Sequence, residues 1–353
     1  MTPFSIIILL LIIGLIFIPV GVTMLYSAKS LYDVSIQYGG AGTSSANACA
    51  AGSCMLTFTL NQQVSGNLYL YYELDNYYQN NIKYSSSVNW AQMMGNANVP
   101  MSDLQSGCDP VVLNGTRVLN PCGLVAKSYF QDTFSLNVAN SLVGDVVPTG
   151  LKMSFDDITG SIDKSLFKQP DGFQSAQAPG ACVNWAKQSD GTCASVNMPS
   201  GCRCFADPTA TVNQYWYYYY PNDATTTYLY EMYPMTAISG ISPLLGVTDP
   251  HFMNWMNIAA LPNFRKLYGV INGNFNTGDV LAFNVYSLVD VNAFNGRKSL
   301  VLSSKGSLGV SNNGLGVTYI VTGTICLICS ILFFIKQETN PRPPPTPATL
   351  KWT

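Results

Sequence analysis

Hydrophobic and polar positions follow three regimes along the chain. Near each end lies an unbroken apolar run: Phe4 to Leu25, "FSIIILLLIIGLIFIPVGVTML", and Leu315 to Ile335, "LGVTYIVTGTICLICSILFFI". Neither carries a charge, and each meets the length of about 20 residues that a membrane-spanning helix needs. Between them the pattern is mostly period two. "MLTFTL" at 55–60 alternates Leu56, Phe58 and Leu60 with polar or smaller residues. "NLYLYYEL" at 67–74 follows a turn signal at Gly66, as the second arm of a hairpin would. "VLAFNVYSLV" at 280–289 sets Leu281, Phe283, Val285 and Val289 on one face, with "RKSLVLSS" as a nearby pairing partner. These runs predict antiparallel, sandwich-like β structure with short helices and long loops, flanked by two transmembrane helices.

One stretch departs from the alternation: "DPHFMNWMNIAALPNFRKLYGVI" at 249–271. Asp249 suits an N-cap and Pro250 the first helical position. Phe252, Trp255, Met256 and Ala259 share a helical face. Pro262 ends that segment. Phe264, Leu267 and Tyr268 repeat the spacing, and Gly269 suits a C-terminal cap. The spacing therefore predicts a helix, a kink and a second helix covering a sheet. Arg265 and Lys266 fall off the apolar face, and a solvated surface and a partner contact are both compatible with them. His251 is the chain's single histidine.

Charge sets the orientation. Lys336, Arg342 and Lys351 follow the second run, so that end is expected in the cytosol by the positive-inside rule. Two spans then put both termini in the cytosol. The organisation expected is a short N-terminus (1–3, with a cytosolic arm missing), a span (4–25), an exoplasmic or lumenal domain (26–314), a span (315–335) and a proline-rich tail (336–353). A cleaved signal peptide is the rival reading of the first run; the apolar stretch is long for one and lacks a clear cleavage site. The 17 basic and 19 acidic residues leave no electrostatic footprint for nucleic acid.

Ten cysteines refine the compartment. Cys49, Cys54, Cys108, Cys122, Cys182, Cys193, Cys202 and Cys204 all lie between the apolar runs, an even number that fits disulfides in an oxidising lumen. Cys49 and Cys54 enclose only four residues. Cys108 and Cys122 enclose the acceptor Asn114-Gly115-Thr116, an N-glycosylation signal. Closing such a loop contributes about 3 kcal/mol in the chain-entropy picture. Residues 169–248 form a cysteine- and tyrosine-rich expansion. Cys202 and Cys204 are expected to pair with Cys182 and Cys193 in unknown order; a zinc site is the rival reading. The run "QYWYYYY" reads as strand or loop, a membrane-interface belt or a partner surface. Cys326 and Cys329, inside the second run, read as buried thiols.

No phosphate-binding glycine loop, nucleophile elbow or His-Glu-x-x-His helix is present. Asp156 and Asp157 read as a solvated turn, and His251 as structural. No catalytic residue, metal ligand or cofactor site is expected.

Six segments, in order, carry a resemblance: "IIGLIFIPVGV" (12–22), "GNLYLYYELDNYYQNNIKY" (66–84), "PCGLVAKSYFQDTF" (121–134), "WMNIAALPNFRKLYGVI" (255–271), "FNGRKSLVLSS" (294–304) and "LGVTYIVTG" (315–323). Together they resemble the cell division cycle protein fifty family, the accessory beta subunits of type-four P-type ATPases, the phospholipid flippases. The resemblance implies a two-span glycoprotein with a disulfide-linked β-rich ectodomain, in a heterodimer with the ATPase's catalytic alpha subunit, among membrane lipids and bearing an N-linked glycan. It implies a non-catalytic role in assembly, exit from the endoplasmic reticulum and the transport cycle, in Golgi, endosomal or plasma membranes. The family's disulfides fall on Cys49 with Cys54 and on Cys108 with Cys122. Departures are Gln131, where the family often has a glycosylated Asn, the reduced basic character of Asn81-Ile82-Lys83, and the expansion at 169–248. The alternative function is a stand-alone cysteine-rich surface receptor or adhesion protein.

Overall fold

A computed structural model describes residues 3–29, 31–49, 52–142, 151–177, 199, 201–208, 215–305 and 313–340. It divides into two compact units, Met1–Asp33 with Ser303–Thr353, and Val34–Leu302. The proline-rich tail from 341 onward lies outside the described residues.

The first unit contains the two long helices, Pro3–Lys29 and Asn313–Thr339. Over Phe4–Ala28 and Gly314–Thr339 both are long and apolar enough to cross a membrane. They run antiparallel, and glycine lets their backbones approach closely. A Cβ on Gly14 would meet the Gly323 carbonyl oxygen at 2.9 Å, and one on Gly21 would meet that of Gly316 at 2.8 Å. Both helices thus place glycine every seven residues on the shared seam, a spacing of about two turns. Phe17 and Tyr319 pack beside it with ring centroids 5.0 Å apart. Ser330 donates to the carbonyl of Ile7 at 3.0 Å, which satisfies its hydroxyl where apolar side chains surround it.

The second unit is built on two mainly antiparallel sheets. One has five strands in the order Asp33–Gly40, Arg297–Ser304, Leu68–Asp75, Phe264–Ile271 and Met153–Ser154. The other has three: Ser53–Thr59, Val280–Tyr286 and Thr133–Leu136. Their alternating residues bury as the pattern predicts. Leu56 and Phe58 of one, and Leu68, Leu70, Tyr72 and Leu74 of the other, are all enclosed. Aromatic contacts join the two sheets, with Phe134 edge-on to Tyr38 and to Tyr268.

Pairing corrects two expectations. Strands 53–59 and 68–75 do not form a hairpin. The first pairs with Val280–Tyr286, the second with Phe264–Ile271. Gly66, at φ +98°, turns the chain between the sheets. Likewise Arg297–Ser304 belongs to the five-stranded sheet rather than beside Val280–Tyr286. Period-two patterning reports which face is buried, not which strand lies next door.

The expansion adds a smaller antiparallel sheet, Arg203–Ala206, Tyr215–Tyr219 and Gln174–Gln177, with the tyrosine strand in the middle. Tyr218 and Tyr220 bury in an aromatic cluster with Phe205, Tyr228 and Tyr230. This part of the tyrosine run is sheet and core. Asp156 and Asp157 sit on an exposed turn.

Candidate functional site

The segment 249–271 organises the centre of the domain, in a form that corrects the sequence reading. Asp249 caps as expected, its Oδ1 accepting from the backbone of His251 at 2.9 Å and of Phe252 at 3.0 Å. The helix runs only over Pro250–Met256. Ala259 lies beyond it in a loop, and Phe264–Ile271 is a strand. The i, i+3, i+4 spacing of Phe264, Leu267 and Tyr268 was overridden by long-range pairing. The edge of Leu68–Asp75 supplies seven paired positions, interrupted by an irregularity between Leu267 and Gly269. Gly269 is not a cap: a Cβ there would meet the Met153 side chain at 2.6 Å.

This strand separates Arg265 from Lys266 by placing them on opposite faces. Arg265 lies at the surface, its Nε 2.5 Å from Glu73 on the neighbouring strand. Lys266 turns inward and is 6% exposed. Its ammonium donates to the carbonyls of Asn254 (2.9 Å), Trp255 (3.2 Å) and Asn257, the open end of the preceding helix. It also lies 5.6 Å from the Trp255 ring. Burial pushes its pKa down to about 7. Trp255, itself buried, donates through Nε1 to the carbonyl of Val125 at 2.9 Å. His251 stacks on Tyr268, with centroids 4.3 Å apart, and meets Phe155 edge-on. Burial lowers its pKa, with the Asp249 carboxylate opposing. No nucleophile bonds to it among the described residues.

A second buried centre was not anticipated from the sequence. Lys298 Nζ lies 2.6 Å from Asp132 Oδ2, with side chains 3% and 0% exposed. Tyr38 donates to the same carboxylate oxygen at 2.9 Å. The backbone N–H groups of Leu288 and Val289 donate to Oδ1 at 2.6 and 2.7 Å. Lys298 also donates to the Val289 carbonyl. The charges are paired and the acceptors filled, the condition under which a buried ion pair persists. A lysine inside the apolar alternation "RKSLVLSS" was the available signal.

A third centre ties the expansion to the rest. Arg203 engages Asp223 through two bonds, at 2.8 and 2.7 Å, and Glu231 at 3.0 Å. Arg117 reaches Glu231 at 2.9 Å. Two guanidinium forks thus span strands from the small sheet and from the hairpin carrying Asn114. These residues are too far apart in sequence to be read as a group.

The remaining sites divide. Cys49 bonds Cys54, and Cys108 bonds Cys122. Cys202 and Cys204 are both in disulfides, which sets zinc aside for them. Cys182 and Cys193 lie outside the described residues. Cys326 and Cys329 are free thiols, half-buried. Asn114 stands exposed on a tight hairpin, Leu113–Asn114 against Arg117–Asn120, with Gly115 at φ +62°. Among the described residues no group of three or more His, Cys, Asp or Glu could hold a metal ion.

The segments that carried the resemblance bond to one another. Glu73 pairs with Arg265, Val125 with Trp255 and Asp132 with Lys298. The seam glycines Gly14, Gly21, Gly316 and Gly323 sit in the first and last. The model of the LEM3 (ligand-effect modulator 3) family / CDC50 family matches residues 24–343. The chain belongs to this family. Curated relatives agree across most of their length. The mouse protein named cell cycle control protein 50A is 30% identical over 337 residues, covering 92% of this chain and 80% of its own. The Arabidopsis thaliana protein named putative ALA-interacting subunit 2 is 26% identical, with 97% and 84% covered. The Chaetomium thermophilum protein named phospholipid-transporting ATPase accessory subunit CDC50 is 26% identical, with 85% and 63% covered.

Proposed function

We propose that the protein is the non-catalytic accessory subunit of a phospholipid-transporting P-type ATPase, assembled as a heterodimer with a separate catalytic chain. The family match over 24–343, running from the last turns of the first long helix through the β-rich domain and the second long helix, carries this reading. The two helices cross the membrane, both termini lie in the cytosol, and the β-rich domain stands on the exoplasmic or lumenal side with a glycan on Asn114. Cys202 and Cys204 pair there with Cys182 and Cys193. The subunit supports exit from the endoplasmic reticulum and the transport cycle by binding some conformations of the ATPase more tightly than others, which shifts their populations.

Of the two basic residues in 249–271, Arg265 is the one positioned for the partner, since the Lys266 ammonium is committed inside. Uptake of a fluorescent phospholipid by cells lacking this chain tests the function. Uptake is expected to fall and to return when the chain is restored, and Arg265→Glu restores it less fully at equal expression. Unchanged uptake in the deletion contradicts the reading.

A further inference from the structure

A cavity of about 350 Å³ lies where the helix Pro250–Met256 and its cap meet the strand Thr133–Leu136, within the range of about 300–1,000 Å³ typical of small-molecule sites. Its lining carries two carboxylates, Asp132 and Asp249, and no lysine or arginine. Lys298, which does not line it, balances Asp132. Asp249 is only half used. Its Oδ1 accepts from the backbone of His251 and Phe252. Its Oδ2 has no hydrogen-bond partner among the described residues, yet it keeps surface that solvent reaches, although the residue as a whole is 9% exposed. The cavity therefore presents a charged oxygen with spare acceptor capacity.

Four more free groups converge on it. The Gln131 amide, the His251 imidazole and the hydroxyls of Tyr129 and Tyr286 make no hydrogen bond among the described residues. All four residues are half-buried, and their polar atoms are open rather than sealed. Burial lowers the His251 pKa, so the imidazole is neutral and one ring nitrogen accepts. Each of the four thus offers a lone pair beside the carboxylate. The exposed side chains of Phe155 and Ile238 add apolar surface.

This lining selects by charge and by hydrogen. An anion would face carboxylate and find no cation. A metal ion would need a fuller set of ligands, and no group of three or more His, Cys, Asp or Glu is placed for one among the described residues. A neutral donor would leave the Asp249 charge uncompensated. A quaternary ammonium has the charge but no N–H for the lone pairs. A primary ammonium on a short alkyl chain supplies the charge, three N–H donors and methylene groups to lie on Phe155 and Ile238.

We infer that this cavity, centred on the free oxygen of Asp249, binds a primary alkylammonium group, carried either by a small free amine or by an ethanolamine-type lipid headgroup. The test uses the full chain in nanodiscs of phosphatidylcholine, a lipid without a primary amine. Ligand-observed NMR titrations use ethanolamine, glycerophosphoethanolamine and choline as probes. Saturable binding of at least one of the two primary amines is expected, at least tenfold tighter than that of choline. Asp249→Asn keeps a capping side chain of the same size and removes the charge, so it should weaken binding at least tenfold. Gln131→Leu should weaken it several-fold. The Gln131 amide holds no other part of the domain, so this variant keeps the test valid should Asp249→Asn fail to fold. Tighter binding of ethanolamine assigns a free amine; tighter binding of glycerophosphoethanolamine assigns a headgroup. No saturable signal from either amine overturns the inference, as does choline binding of equal strength. So does an affinity unchanged in Asp249→Asn, or in Gln131→Leu where Asp249→Asn does not fold.

Discussion

The helix pair and the β-rich domain solve the same problem, holding distant parts of one chain together, by opposite means. The helices have almost no polar contact. They rely on removing side chains, so that Gly14 meets Gly323 and Gly21 meets Gly316 backbone to backbone. In lipid this is what works, because apolar side chains gain little by leaving hydrocarbon for each other. The domain instead buries charge: Lys298 on Asp132, and Lys266 on the carbonyls at a helix end. Such groups are costly to desolvate, and they persist where every acceptor has a donor. One region is specified by what fits, the other by what must be satisfied.

The comparison breaks most readily at the buried pair. Asp132→Ala leaves the Lys298 ammonium enclosed without its partner and should destabilise the domain by about 3–5 kcal/mol in chemical unfolding. Replacing both residues, as Asp132→Asn with Lys298→Met, removes both charges but keeps an amide oxygen for the Leu288 and Val289 N–H groups, and should recover much of that loss. If the single and double variants are equally unstable, pairing is not what holds the charge.

A smaller effect is expected in the helix pair. Gly14→Val with Gly21→Val inserts side chains where no space exists, at about 1–3 kcal/mol each. Cysteines at Phe17 and Tyr319, whose rings lie 5.0 Å apart, should cross-link readily in the parent and poorly in this variant. The unfolding midpoint of the domain should not move. A shift there would mean that the two regions are not separately specified.

The effect that is smallest per step is a pH dependence. Lys266 has its folded-state pKa depressed from 10.5 to about 7. Between those values the unfolded chain holds a proton that the folded chain releases, so stability rises with pH and is lost as pH falls through about 7. The limiting slope is about 1.4 kcal/mol per pH unit. Thermal unfolding between pH 7 and 9.5 should show this slope, reduced in Lys266→Met. An identical slope in the variant assigns it to other groups.

Much of this was legible in the sequence, for reasons that also explain the failures. The apolar runs and the alternation at 55–60 and 67–74 are local signals, and the helices and buried faces followed them. Strand neighbours were not legible: the hairpin at Gly66 was a local inference about a long-range choice. Phe264–Ile271 failed for the same reason, since its spacing fits a helix but its pairing edge lies about 190 positions earlier in the chain, in Leu68–Asp75. Cys49 with Cys54 and Cys108 with Cys122 were readable because the loops they close are short. Asp132 with Lys298, 166 positions apart, was not. The seam glycines were visible as residues, but their seven-residue spacing acquires meaning only when both helices are considered together.

The central claim is that this chain works as one half of a lipid-transporting ATPase. Purification of the full chain from its own membranes in mild detergent, followed by mass spectrometry of what comes with it, tests that most directly. The account predicts a large multi-span P-type ATPase in near-equimolar amount. Recovery of the chain folded and glycosylated at Asn114, but without any such ATPase, would contradict it.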